Sequence, residues 1–168
     1  MNEAQQTDFV KTVEQHQGII NNLCRLYHSN LEDQKDSRQD IVLQLWKSYP
    51  LFRGESSVST WIYRVSIHTI LAKIRKQKRR ITTATFDDLC ESAAVLPLGV
   101  DDDIQLLKSI IASLDADNKA LVILYLEGYK NKEIATILNI SASNVSTRLN
   151  RIKAKLKNQY QKLHHATK

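Results

Sequence analysis

Apolar positions recur at spacings of three and four along most of the chain, the period of helices with one buried face. Phe9, Val13, His16, Ile20, Leu23 and Tyr27 form one such stripe, so a single helix is expected over about 8–28. A second is expected over about 36–48, where Ile41, Val42, Leu45 and Trp46 group together and Pro50 closes the pattern. FRGESS at 52–57 makes a polar turn, and Ser57 or Ser59 can cap the next helix. That third helix, about 58–78, turns Val58, Trp61, Ile62, Val65 and Ala72 toward a core and runs into the basic stretch KIRKQKRR at 73–80. Residues 81–103 hold no sustained period; Pro97, Gly99 and three consecutive aspartates at 101–103 mark a linker, with a short helix expected near 86–94. Periodicity returns at about 104–114. Asp115 or Asp117 can then cap a helix that carries Leu121, Val122, Leu124 and Tyr125 and stops at Gly128.

The stretch 131–157 is the most specific. Ile134, Ala135 and Leu138 fit one face of a short helix, while Val145, Leu149, Ile152 and Leu156 step by four, three and four along a second. Only Asn139, Ile140 and Ser141 separate them, and asparagine tolerates the left-handed conformation such a turn needs. Ala135 is small where two helices must approach closely. This layout is that of a helix-turn-helix, whose second helix enters the major groove of DNA. The outer face of that helix carries Asn144, Thr147, Arg148 and Arg151, flanked by Ser143, Ser146 and Asn150. Arginine and asparagine make bidentate contacts with guanine and adenine edges, and serines suit phosphates. A plain antiparallel helix pair with a solvated basic face is the competing reading of the apolar spacing alone.

Charge sharpens this picture. The net charge of +6 conceals two basic blocks, residues 56–80 and 134–168, each with seven bases and no acid. Between them, residues 81–107 carry six acids and no base. Two cationic surfaces that each meet a polyanion are implied, and nucleic acid gives such clusters affinity by releasing counterions. A nucleic-acid-processing enzyme would need acids or metal ligands near those blocks, and the blocks contain no acid. No Gly-rich phosphate loop or nucleophile constellation is present, so no enzyme activity, cofactor or small-molecule substrate is expected. Cys24 and Cys90 lack ligand spacing, which points to two reduced thiols in a cytoplasmic protein and no metal site. His164-His165 reads as a solvated tail. The longest uncharged apolar run, residues 120–126, is far short of the roughly 18 residues of a membrane span, and the first residues lack the layout of a secretory signal.

The stretch DSRQDIVLQLWKSYPLFRGESSVSTWIYR at 36–64 resembles region 2 of bacterial RNA polymerase sigma factors of the compact extracytoplasmic-function group. The matching pieces are Leu45-Trp46, Phe52-Arg53-Gly54, Thr60-Trp61-Ile62-Tyr63-Arg64 and the basic tail. EGYKNKEIATILNISASNVSTRLNRIKAKLK at 127–157 looks like region 4 of the same group. The resemblance implies an all-α protein of two small helical domains, residues 1–80 and 104–168, joined by a flexible acidic linker at 81–103. It implies core RNA polymerase and promoter DNA as partners, without membrane insertion, and many relatives are also held by an anti-sigma factor.

The resemblance also assigns roles. Asp36, Gln39, Asp40, Leu43 and Trp46 would dock on the polymerase clamp, where carboxylates at i and i+4 offer an acidic ridge to a basic helix. Arg53, Ser56, Ser57 and Ser59 in the loop, then Trp61, Tyr63, Arg64, His68, Arg75 and Lys76 on the helix, would read and help to open the −10 element. Unstacking bases needs stacking surfaces and backbone neutralisation. Trp46 and Trp61 fit a core position as well as a contact. Ser143, Asn144, Ser146, Thr147, Arg148, Asn150 and Arg151 would read the −35 element. Departures from the family pattern, Ile67-His68 for Arg-Asn, Ala72 for Asp, Asn139 for Gly and Ser146 for Lys, bear on which promoter bases are preferred. The alternative is a conventional helix-turn-helix regulator that does not bind polymerase as a sigma subunit; it leaves 36–80 without a role.

Overall fold

The computed structural model describes residues 2–82, 111 and 113–166, and among these described residues the periodic stretches become seven α-helices. Two compact units divide between Glu91 and Ser92. The first holds α1 (Glu3–Gln15), α2 (Gln17–Tyr27), α3 (Leu31–Ser48), a 3-10 turn (Tyr49–Leu51) and α4 (Val58–Thr82); the second holds α5 (Ala116–Leu126), α6 (Asn131–Leu138) and α7 (Ala142–Ala166). Among the described residues no helix is long and apolar enough to cross a membrane. The expected linker, the short helix near 86–94 and the helix expected over 104–114 lie almost wholly outside the described residues, as does Cys90.

In the first unit α2, α3 and α4 pack against one another. Ile20, Leu23, Cys24 and Tyr27 of α2 close on Ile41 and Leu45 of α3 and on Ile62, Ile67, Ile70 and Leu71 of α4. Full burial of each large aliphatic side chain contributes roughly 1.5–3 kcal/mol. Burial pushes the Cys24 thiol up from its ordinary value, which keeps it protonated and unreactive.

Three boundaries differ from the periodicity. The single helix expected over 8–28 is broken at His16, whose φ of −112° and ψ of 11° leave the helical range. The His16 N–H is shared between the Thr12 and Val13 carbonyls at 3.2 and 3.3 Å, and its Nδ1 lies 2.9 Å from the Thr12 carbonyl. Gly18, two residues on, weakens helical continuation there. The second expected helix begins five residues early, because the Asn30 side chain accepts from the Asp33 N–H at 2.7 Å and Glu32 and Asp33 suit the positive helix start. The third runs on to Thr82, since the Lys, Arg and Gln of its tail are strong helix formers. Of the two candidate caps for α4, Ser57 acts, accepting from the Thr60 N–H at 3.1 Å.

In the second unit Asp115 caps α5, accepting from the Asn118 N–H at 2.9 Å. Gly128 stops that helix with a φ of +86°, the left-handed geometry glycine adopts at little cost. Asn139, at φ 55° and ψ 49°, makes the turn between α6 and α7. A β-branched side chain there meets the steric penalty of the left-handed region. Asn139→Val is therefore expected to lower the unfolding free energy by about 1–2 kcal/mol, and Asn139→Gly to keep it within a few tenths. Urea midpoints of the two variants check this; equal midpoints would contradict it.

Candidate functional site

Three exposed surfaces gather nearly all of the candidate residues. The first is the outer face of α7. Ser141 caps this helix, its Oγ accepting from the Asn144 N–H at 3.2 Å, and that start sets the phase. Val145, Leu149 and Ile152 then point inward, leaving Ser143, Thr147, Asn150 and Arg151 exposed and Asn144, Ser146 and Arg148 half-buried. Thr147 donates back to the Ser143 carbonyl at 2.9 Å, and Asn131 of α6 donates to Ser146 Oγ at 3.2 Å. Ser146 thus braces the two helices of the motif. Arg148 lies toward the α5 flank, and with Arg151 it borders a cleft of about 340 Å³ that also meets Asp115, Asp117, Asn118 and Ile152. Farther along α7, Lys153 donates to the Tyr125 hydroxyl of α5 at 2.8 Å and sits 4.2 Å from that ring's centroid. Sequence reasoning missed this pairing, which ties α5 to α7 across 28 positions.

The second surface joins the 52–57 loop to α4. Gly54, at φ +71°, turns the chain, and Arg53, Ser56 and Ser57 are exposed while Ser59 is half-buried. The Ser57 hydroxyl is engaged as the α4 cap and lies 2.8 Å from Thr60 Oγ1. Arg64, His68, Arg75 and Lys76 are exposed along one side of α4, and Arg79 extends that stripe. From Arg64 to Arg79 it covers roughly 22 Å at 1.5 Å per residue. Trp61 and Tyr63, expected among the strand-reading residues, are in the core at 8% and 5% exposure. The buried run 61 to 63 covers about 200° of the helix circumference, so the start of α4 is enclosed over more than half its surface, with Arg64 left outside. The Trp61 ring is 5.0 Å from Phe52 and 6.0 Å from Tyr49, centroid to centroid. Trp61 therefore takes its core alternative, and Tyr63 is corrected from surface to core.

The third surface is the outer face of α3. Ser37, Ile41 and Leu45 are buried at steps of four, so Asp36, Gln39, Leu43 and Trp46 are exposed. Trp46 retains 37% exposure even though its ring meets Phe9 edge-on at 5.1 Å. Phe9 also meets Tyr49 at 5.3 Å. Five rings thus connect in the order Trp46, Phe9, Tyr49, Trp61, Phe52, from the α3 face to the loop before α4. Phe9, Val42, Leu43 and Trp46 line a groove of about 500 Å³ whose remaining walls are Lys35, Arg38 and Gln39. Asp40 is half-buried and receives Lys73 of α4 at 2.7 Å. The acidic ridge expected at positions 36 and 40 is thus one exposed carboxylate and one already paired.

The geometry has counterparts among known proteins. Residues 104–156 match the family described as Sigma-70, region 4, and residues 12–80 match Sigma-70 region 2. RNA polymerase sigma factor YlaC of Bacillus subtilis is 29% identical over 152 residues, covering 84% of this chain and 85% of its own. The extracytoplasmic-function sigma factor SigM of Mycobacterium tuberculosis is 25% identical over 148 residues, covering 88% and 74%. Among solved structures, the sigma factor RpoE of Bartonella quintana in complex with the anti-sigma factor NepR gives a TM-score of 0.75 at 20% identity, covering 92% of this chain and 97% of that one. CnrH in complex with the cytosolic domain of CnrY gives 0.61 at 18% identity, covering 93% and 89%. These two likenesses concern the fold.

Proposed function

Because the chain belongs to the sigma-70 family of RNA polymerase subunits, in its extracytoplasmic-function group, it directs core RNA polymerase to promoters, and we propose that its two units divide the promoter between them. Residues 104–168 read the −35 element as duplex through the outer face of α7. Residues 1–80 dock on core polymerase through α3 and read and help to open the −10 element through the 52–57 loop and α4. Residues 81–103 connect the two. The observation that carries this reading is the exposed side of α7: Arg151, Asn150, Thr147 and Ser143 stand outward behind a left-handed Asn139 turn. Those side chains have the donors and acceptors that major-groove base edges require.

With Trp61 and Tyr63 enclosed, the −10 surface works through cations and loop polars. Arg64, His68, Arg75 and Lys76 neutralise the backbone of the separating strand, while Arg53, Ser56 and Ser57 of the loop help to hold a flipped base. The chain contributes recognition, and the bond-forming chemistry belongs to the polymerase; its place of action is the cytoplasm. A stand-alone helix-turn-helix regulator is not favoured, because residues 12–80 match region 2. An anti-sigma protein is a further proposed partner, as the RpoE and CnrH structures are each of a complex with such a protein or with a cytosolic domain. The apolar groove between α1 and α3 is open to it.

A pull-down of core polymerase without DNA, followed by run-off transcription from genomic fragments, tests the whole reading; a chain that binds DNA but never retains core polymerase would sink it. The docking face has its own test. Asp36→Arg is expected to weaken core binding with the circular dichroism unchanged, since a reversed interfacial charge costs several kcal/mol through like-charge contact. Asp40→Arg is expected to weaken core binding and also to lower the melting temperature, because it sets two cations together where Lys73 now meets a carboxylate. Wild-type retention by both variants would remove α3 from the interface.

A further inference from the structure

A hydrogen bond at the rim of the DNA-reading face decides what one of its hydroxyls can offer. Asn131, the first residue of α6, donates from Nδ2 to Ser146 Oγ of α7 at 3.2 Å. The start of α6 has its own closure, since the Glu133 carboxylate accepts from the Lys130 N–H at 2.7 Å. Thr147 turns its hydroxyl back on its own helix, donating to the Ser143 carbonyl at 2.9 Å; the Ser146 hydroxyl is instead engaged from the neighbouring helix. A serine hydroxyl holds one proton and two lone pairs. With one lone pair taken by Asn131, Ser146 keeps its proton for another acceptor. It is half-buried on the shoulder of α7 next to α6, three residues from Ser143 and four from Asn150, both exposed. Residues so spaced are neighbours on a helix surface. Lys130 and Lys132, on either side of Asn131 in the chain, are exposed as well, so this rim carries positive charge that suits a DNA backbone.

We infer that Asn131 is a positioning residue for promoter recognition: by donating to Ser146 it leaves the serine proton for a hydrogen-bond acceptor on a base edge of the −35 element. The inference rests on the reading of α7 as the −35 helix and adds to it a residue from the helix before. In the major groove guanine presents acceptors at O6 and N7 and thymine one at O4, whereas cytosine presents a donor at N4 and adenine one at N6 beside its N7 acceptor. A hydroxyl whose proton is available can pair with guanine or thymine. One whose proton is spent on a neighbouring side chain can only accept, and it pairs with the amino group of cytosine or adenine. The serine makes the contact, and the amide of Asn131 sets its polarity.

The test uses the full chain assembled with core polymerase. The probes are the duplex that the wild-type holoenzyme enriches from a randomised −35 library and its single-base substitutions. Ser146→Ala locates the position, as the one where a wild-type preference for guanine or thymine is lost. Asn131→Asp keeps the size of the side chain and suits the first turn of a helix, but it takes the serine proton instead of giving one. At that position it is expected to lower the preference for guanine or thymine over cytosine or adenine by roughly three- to tenfold, the effect of one neutral hydrogen bond. Its added negative charge weakens all duplexes alike, so relative affinities are the readout. Asn131→Ala frees the hydroxyl to turn and should relax the same position without the added charge, so a poorly folding Asp variant does not decide the matter. In a Ser146→Ala background neither substitution should change any base preference. If Asn131 only braces α6 against α7, both variants lower the melting temperature and weaken every duplex by one factor. That result, no position sensitive to Ser146→Ala, or a changed preference that persists without Ser146 would overturn the inference. If Asn150→Ala and Arg151→Ala leave the affinity for every duplex at the wild-type value, the α7 reading itself fails, and that result is distinct.

Discussion

Trp61→Ala is expected to lower the unfolding free energy of the N-terminal unit by about 3–5 kcal/mol, the range for truncating a large buried ring. The ring keeps 8% of its surface exposed and packs between Phe52, at 5.0 Å and 33° between planes, and Tyr49, at 6.0 Å. Ring pairs of this kind contribute about 0.5–1.5 kcal/mol each beyond area burial. Trp61 also encloses the start of α4, so its loss frees the loop that carries Arg53 and Ser56. Small domains are stable by only about 5–15 kcal/mol, so the variant should lose core binding and promoter opening together. Urea denaturation beside permanganate footprinting decides the point. A variant with the wild-type midpoint that retains core polymerase but no longer opens the −10 element would return Trp61 to the DNA-reading set.

The same residues explain what could be read from the chain and what could not. The helix-turn-helix was legible because its signals are local: a three-residue turn that opens on Asn139 and apolar steps of four, three and four. The break at His16 was not, because Phe9 and Ile20 are eleven residues apart, about three full helical turns, and stay in phase whether or not the helix is continuous. Gly18 was the available cue. The early start of α3 escaped because 31–35 is mostly polar and adds nothing to an apolar period; Asn30 followed by Asp33 carried the signal instead. Among Ile41, Val42, Leu45 and Trp46, grouping suggested one buried cluster. A step of four keeps Ile41 and Leu45 together in the core, whereas Trp46 lies a further 100° around the helix and stays exposed. For the candidate site, position along α4 separates the outcomes. Arg64, His68, Arg75 and Lys76 fall on its outer stripe, while burial of the run Trp61-Ile62-Tyr63 needs neighbours around about 200° of the helix, which only the tertiary packing supplies. The aromatics at 46, 49 and 52 recur every three residues, but Phe9, which joins them, comes from a helix whose placement is purely tertiary. The acids that border one cleft with Arg148 are read from the sequence only as alternative caps, since a helix start 33 residues before Arg148 is beyond any local pattern.

The exposed end of the aromatic chain carries the other large effect. Trp46→Ala is expected to weaken core-polymerase binding by about 30-fold or more, the 2 kcal/mol that marks an interfacial hot spot. Tryptophan dominates such interfaces because it removes much apolar surface from water with few rotatable bonds, and this one stands at 37% exposure on a groove it shares with Leu43, Val42 and Phe9. Leu43, at 48% exposure, extends the same apolar face, whereas Asp36 and Gln39 supply its polar edge. Because the Trp46 ring is seated edge-on against Phe9, its loss also costs some packing, and the two effects need separate readouts. Thermal denaturation of the free chain should fall by only a few degrees, against the much larger loss expected for Trp61→Ala. Trp46→Phe should restore most of the binding, since a smaller ring still fills the groove. A variant that melts as far below wild type as Trp61→Ala would identify Trp46 as core in function despite its exposure. One that melts and binds polymerase like wild type would place the docking surface elsewhere on the unit.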